Sequence, residues 1–129
     1  MNTKSSIFLS GGFRTDWQST VQKRYGDRFQ FFNPREHNIE EPHLYASWDI
    51  HYVRKCDILL AYMEANNPSG FGLMFELGMA YALNKTIILI DERSEVDSTF
   101  AKYFKIAHQP SGNVFRTLAD AFLFLDTFI

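Results

Sequence analysis

The chain has 129 residues, 46% of them hydrophobic, with a formal charge of −2 at neutral pH, so one ordinary core can form and wholesale disorder is excluded. That balance lacks the basic footprint of a partner for a nucleic-acid polymer, and the single cysteine, Cys56, excludes an internal disulfide framework. No apolar run approaches the roughly 20 residues that span a bilayer, and Met1 to Lys4 runs straight into a strand-like segment, without the apolar stretch of a signal peptide. A cytoplasmic protein with no membrane partner is therefore expected.

Along the chain, short apolar runs alternate with longer amphipathic stretches, the pattern of a parallel sheet covered by helices. Ile7-Phe8-Leu9 reads as a strand ending at Ser10-Gly11-Gly12. A helix follows, with Thr15 as N-cap and Gln18 completing a capping box, and it ends near Gly26. Phe29 to Phe32 is a second strand stopped by Asn33-Pro34, Glu36 to Pro42 a polar loop, and Tyr45 to about Lys55 a helix. Ile58 to Tyr62 is almost wholly apolar, as a central strand buried on both faces should be. Asn66 to Gly70 breaks it, and the next helix runs to about Leu83 and closes on Asn84. Thr86 to Ile90 is a fourth strand, followed by a charged loop from Asp91 to Ser98 and a short helix around Thr99 to Tyr103. A weak edge strand near Ile106 and a closing helix from Val114 to Phe128, capped by Ser111 or Asn113, complete the pattern. The expected architecture is one α/β domain over residues 1–129, doubly wound and flavodoxin-like: a mostly parallel sheet of about five strands with helices on both faces.

In such sheets ligands bind where strands run into helices. Ser10-Gly11-Gly12-Phe13-Arg14 is glycine-rich at such a junction, so its amides could approach an anion, although a plain turn needs the same glycines. Asn33-Pro34-Arg35 is a second junction, and Asn67-Pro68-Ser69-Gly70-Phe71-Gly72 a third. The third leads into Leu73-Met74-Phe75-Glu76, where Glu76 falls in about the first turn of its helix. A carboxylate there feels the helix dipole, which favours its ionised form, and an ionised carboxylate in apolar company suits a nucleophile. On spacing alone, a structural glutamate is the plainer reading. Asp49, after Trp48, shares helical spacing with Val53 and Asp57; Asp57 is better read as a cap at a strand entry. His37, His43, His51 and His108 show no metal-type spacing, and Cys56 sits in apolar company as a core residue.

Taken together, Ile7 to Phe13, Phe32-Asn33-Pro34-Arg35, Trp48-Asp49, Cys56 to Tyr62 and Gly70 to Ala80 resemble the nucleoside 2-deoxyribosyltransferase family, whose superfamily includes the 2′-deoxynucleoside 5′-phosphate N-hydrolases. The resemblance covers roughly the first two-thirds of the chain. It implies a retaining double displacement in which Glu76 is the nucleophile and Asp49 the acid toward the leaving base. Substrate contacts are implied for Ser10, Gly11, Gly12, Phe13, Arg14, Asn33, Arg35, Trp48, Ser69, Gly70 and Gly72. The expected partners are a deoxynucleoside or deoxynucleotide and a nucleobase, with no metal and no cofactor. A homo-oligomer, dimer or larger, is also implied, with Ser98 or Thr99 reaching a neighbouring subunit's site.

The chain departs from the family pattern at two positions. Phe8 stands where transferases carry a tyrosine near the nucleophile, and Gly70 where they carry an acid that recognises sugar hydroxyls. Transfer of deoxyribose to a second base is the first reading and hydrolysis of a deoxynucleoside 5′-monophosphate the second; inward-pointing Arg14 and Arg35 would favour the latter. The two departures keep a non-catalytic nucleotide-binding module in view, and a purely structural domain ranks last.

Overall fold

Five strands form one sheet in the computed structural model, which describes residues 4–67 and 70–129. They are β1 (Ser6–Gly11), β2 (Gln30–Phe32), β3 (Ile58–Met63), β4 (Thr86–Asp91) and β5 (Asn113–Phe115), in the order β2-β1-β3-β4-β5. Every neighbouring pair is parallel, which makes the fold flavodoxin-like. The helices are α1 (Trp17–Tyr25), α2 (Pro42–Lys55), α3 (Phe71–Ala82), α4 (Ser98–Phe104), α5 (His108–Ser111) and α6 (Leu118–Leu125). None of the described helices is long and apolar enough to cross a membrane.

Side chains alternate across a strand, and here both faces are covered. Ile7, Leu9, Ile58, Leu60, Ile88 and Ile90 pack against Trp17, Val21 and Tyr25 of α1 and Ala121 and Leu125 of α6. Phe8, Leu59, Ala61, Ile87 and Leu89 pack against Val53 of α2, Leu73, Leu77 and Ala80 of α3, and Phe100 and Phe104 of α4. Each fully buried Leu or Ile contributes about 1.5–3 kcal/mol, which explains why these strands tolerate almost no polar residue. Ser6 and Asp91 are buried polar residues at strand ends, and Ser10 is completely buried on the Phe8 side. Its parity directs it between α2 and α3.

Several local readings are corrected. Thr15 does not cap α1: the N-cap is Asp16, without a side-chain bond. The Thr15 hydroxyl goes instead to Glu64, and Gln18 is buried with its amide on the Gly12 carbonyl. α2 begins three residues before Tyr45, because Pro42 suits the first helical position and the Glu41 carboxylate accepts from the Leu44 amide. Ile106 lies in a 3-10 turn (Lys105–Ala107) and is exposed, so the edge strand is β5. Residues 113–115 therefore do not open the last helix; that helix starts at Leu118, capped by Thr117, while Ser111 bonds Ala107 and Asn113 bonds Ile87. A three-residue strand carries too little periodicity to separate it from the amphipathic helix that follows.

The carboxyl end of β4 is closed by Asp91, whose side chain is 1% exposed and accepts from the Arg93 and Ser94 amides and the Ser94 hydroxyl, with His108 Nε2 at 2.8 Å. Burial opposes its charge, but the Ser94 hydroxyl and amide, His108 and the Arg93 amide together hold its pKa below the ordinary carboxylate value. A lowered folded-state pKa gives stability that is present above the unfolded value, about 3.9, and is lost as pH falls. Asp91→Asn should therefore cost about 1–3 kcal/mol in urea unfolding at pH 7, and the gap from wild type should close toward pH 3.

Candidate active site

Glu76 is the sixth residue of α3, on the second turn and beyond strong reach of the helix dipole. Its neighbours Leu73, Leu77 and Ala80 are packed into the core, which turns the glutamate toward α2 and the end of β1. There the Ser10 hydroxyl donates to Glu76 Oε1 at 2.6 Å. Phe8 thus lacks a hydroxyl, but two residues further on the same strand face supplies one. Asp49, midway along α2, meets Glu76 closely enough for the two carboxyls to hydrogen-bond each other.

The electrostatics reverse the expectation of an ionised resting carboxylate. Burial pushes the Glu76 carboxyl up to about 8; Ser10 pulls it down, while the charge and hydrogen bond of Asp49 add to the rise. Asp49 is also raised, by burial first, against the opposing effects of His37 and Glu76. Two carboxyls in contact in a dry site cannot both be charged cheaply, so near neutral pH the pair holds one proton. Desolvation outweighs the helix dipole here because the dipole acts over one turn and burial acts on the whole group.

Asp49 and Glu76 line one cavity of about 170 Å³ with Tyr45, Ala46, Ile50, Gly72 and Phe75. Small-ligand sites usually hold about 300–1,000 Å³, so a nucleoside needs more room than these walls leave. Tyr45 and Phe75 are 41% and 58% exposed and are the side chains free to swing away. Trp48 packs behind the pair, its ring 6.3 Å from Phe8, 4.4 Å from Tyr52 and 4.8 Å from His37.

Other expected contacts lie elsewhere. Phe13 and Arg35 stack at 5.3 Å and line a separate cavity of about 280 Å³ with His37 and Ile39. Arg35 is spent on the Thr15 carbonyl and Gln18, and Arg14 is exposed, so neither points into the carboxyl pair's cavity. Asn33 is buried as a local cap: its oxygen accepts from the Arg35 amide and its amide faces Gln22 and Glu36. Asp57 likewise holds the Ser6 amide and hydroxyl, a structural role. Gly70 lies against the Phe104 ring, and Ser98 and Thr99 open α4 on the surface. Ser69 lies outside the described residues.

The glycine loop is filled from within. At Gly11, φ is +153° and a Cβ would meet the Tyr62 carbonyl at 2.6 Å; at Gly12 it would collide with Asn67 and Glu64. Glu64, 1% exposed, accepts from the Thr15 hydroxyl and the Arg14 amide. An internal carboxylate thus sits where an external anion was expected. Sequence reading missed Glu64, His37, Tyr45, Ile50 and Phe75. For Tyr45 helical spacing was the available signal, since it falls one turn before Asp49; Ile50 and Phe75 only adjoin the two acids in sequence.

A doubly wound α/β domain with a buried carboxyl pair beneath the ends of its strands is the class these features define. The family model described as nucleoside 2-deoxyribosyltransferase like matches residues 4–94, and the chain belongs to that family. Among curated proteins none matches by sequence. Solved structures with the same fold include a 2-desoxiribosyltransferase from Leishmania mexicana, 20% identical with a TM-score of 0.71 over 93% of this chain and 95% of that one. A conserved protein from Enterococcus faecalis V583 is 11% identical, with a TM-score of 0.73 over 98% and 100%. A CMP N-glycosidase from Clostridium botulinum is 20% identical, with a TM-score of 0.58 over 96% and 100%.

Proposed function

We propose that the chain cleaves the N-glycosidic bond of 2′-deoxynucleosides and passes the deoxyribosyl group to another base through an ester on Glu76. The observation that carries this is the meeting of Asp49 and Glu76 at one cavity, with a hydroxyl donor on the glutamate oxygen. Family membership and the deoxyribosyltransferase fold relative support it.

Contact between the carboxyls lets the shared proton reside on Asp49 while Glu76 is ionised. Glu76 attacks C1′ as the bond to the base nitrogen breaks, and Asp49 gives its proton to that nitrogen. A second base then attacks C1′, returns a proton to Asp49 and frees Glu76. With no 2′-hydroxyl to withdraw electrons, the cationic transition state needs only these two acids, as in retaining glycosidases. Ser10 keeps Glu76 ionisable. Ser10→Ala should lower kcat/KM about tenfold at pH 7, one hydrogen bond's worth. It should also move the acidic limb of the pH profile upward, because the lost donor favoured the charged form.

Hydrolysis of a deoxynucleoside 5′-monophosphate is the second reading, favoured by the CMP N-glycosidase relative and weakened by the internal partners of Arg35. The chain is further expected to act as a homo-oligomer, with Ser98 or Thr99 of the partner subunit near the pair; exposed Leu44, Phe71, Phe75 and Tyr81 give an apolar face for this. Incubation with 2′-deoxyinosine plus adenine, and separately with deoxynucleoside monophosphates, tests the reading. Chromatography should show 2′-deoxyadenosine and hypoxanthine. Free base with deoxyribose phosphate alone would replace transfer by hydrolysis, and no product from either would leave the binding module.

A further inference from the structure

We infer that His37 is a positioning residue for the carboxyl pair: its Nε2–H is aimed at Asp49 Oδ1 and confines the acid proton of Asp49 to Oδ2. This rests on the reaction proposed above, but the placement of the ring can be tested without it.

Three observations converge. The Ile39 amide donates to His37 Nδ1 at 3.0 Å, so that nitrogen presents its lone pair and a neutral ring carries its hydrogen on Nε2. Nε2 lies 3.8 Å from Asp49 Oδ1, with the two side chains 12% and 18% exposed. Asp49 Oδ1 is itself buried with no hydrogen-bond partner among the described residues. A buried acceptor without a donor is costly, and 3.8 Å is too long for a hydrogen bond. Catalytic hydrogen bonds often tighten only when ligand is bound, and a small rotation of either side chain closes this gap.

The ring is held for that task. Its edge-on contact with Trp48, the residue before Asp49, ties its position to α2 itself. The titratable groups acting on Asp49 are His37 from the segment after β2 and Glu76 from α3. Around His37 itself, Glu36 and Lys55 line the cavity on one side, and Arg35 and Glu40 the cavity on the other. A donor on Oδ1 leaves Oδ2 as the oxygen that carries the proton. The proton then moves from Asp49 Oδ2 to the departing base nitrogen, and comes back to the same oxygen in the second step. Without that donor the proton is divided between the two oxygens.

Nitrogen-15 NMR of the wild-type imidazoles should show His37 as the Nε2–H tautomer; an Nδ1–H ring would overturn the inference. Carbon-13 titration of the Asp49 carboxyl gives a second readout. It should shift upward in His37→Phe and return in His37→Gln, whose amide can still donate near the Nε2 position. In turnover of 2′-deoxyinosine with adenine, His37→Phe should lower kcat about 10–100-fold with KM little changed, and His37→Gln should recover most of it. Equal losses in the two variants, or a change in KM alone, would sink the assignment. Should the wild type turn over no deoxynucleoside, the proposed reaction fails and the two NMR measurements decide His37 by themselves.

Discussion

Glu76→Ala is expected to lower kcat for deoxyribosyl transfer by about 10⁴-fold or more, the scale on which enzymes lose rate when a nucleophile is removed. The variant should fold at least as well as the parent, because burial raises the Glu76 pKa to about 8 and its ionisation is disfavoured in the native state. Between the unfolded carboxyl value, about 4.3, and that raised value, the native state binds more protons than the unfolded one. Stability therefore falls as pH rises through this window. Glu76→Gln should remove that slope, with an unfolding midpoint equal to wild type near pH 4 and above it near pH 8. Mass spectrometry of acid-quenched wild type should trap one deoxyribosyl group, absent from the variant. Retained turnover in Glu76→Ala would end its role as nucleophile.

Asp49→Asn is expected to cost about 10²–10⁴ in kcat, the usual worth of a positioned general acid. The loss should be greatest for bases that leave poorly as anions and smallest for those that need no protonation. The wild-type pH profile should be bell-shaped, since only the singly protonated pair has both an ionised Glu76 and a protonated Asp49. In Asp49→Asn the alkaline limb should vanish with the titrating acid. The acidic limb should stay, because it reports ionisation of Glu76 beside a neutral Asp49, which asparagine imitates. A profile still bell-shaped in this variant would place the acid elsewhere.

The central strands were legible because a parallel strand buried on both faces must be apolar at every position, as residues 58–62 and 87–90 are. Asp57 and Cys56 were also readable as structural; burial pushes the Cys56 thiol up to about 11, far from a reactive thiolate. The region after residue 104 was misread, since Ile106 and residues 113–115 are short edge elements whose apolar residues fit several patterns. Glu76 and Asp49 stood out by resemblance more than by spacing, which suited a structural glutamate equally well. The parity that puts Ser10 on the Phe8 face was present in the sequence.

What the sequence determined by itself was the order of elements as far as about residue 104, the two-sided core and the presence of a carboxylate on each of two helices, because these follow from local periodicity. Tertiary structure decided the rest of the site. The proton shared by Asp49 and Glu76, the Glu64 carboxylate under the glycine loop and the histidine aimed at Asp49 each join segments about 12 to 50 residues apart. Desolvation and through-space contact set those properties, and neither is encoded in the spacing of residues along one element.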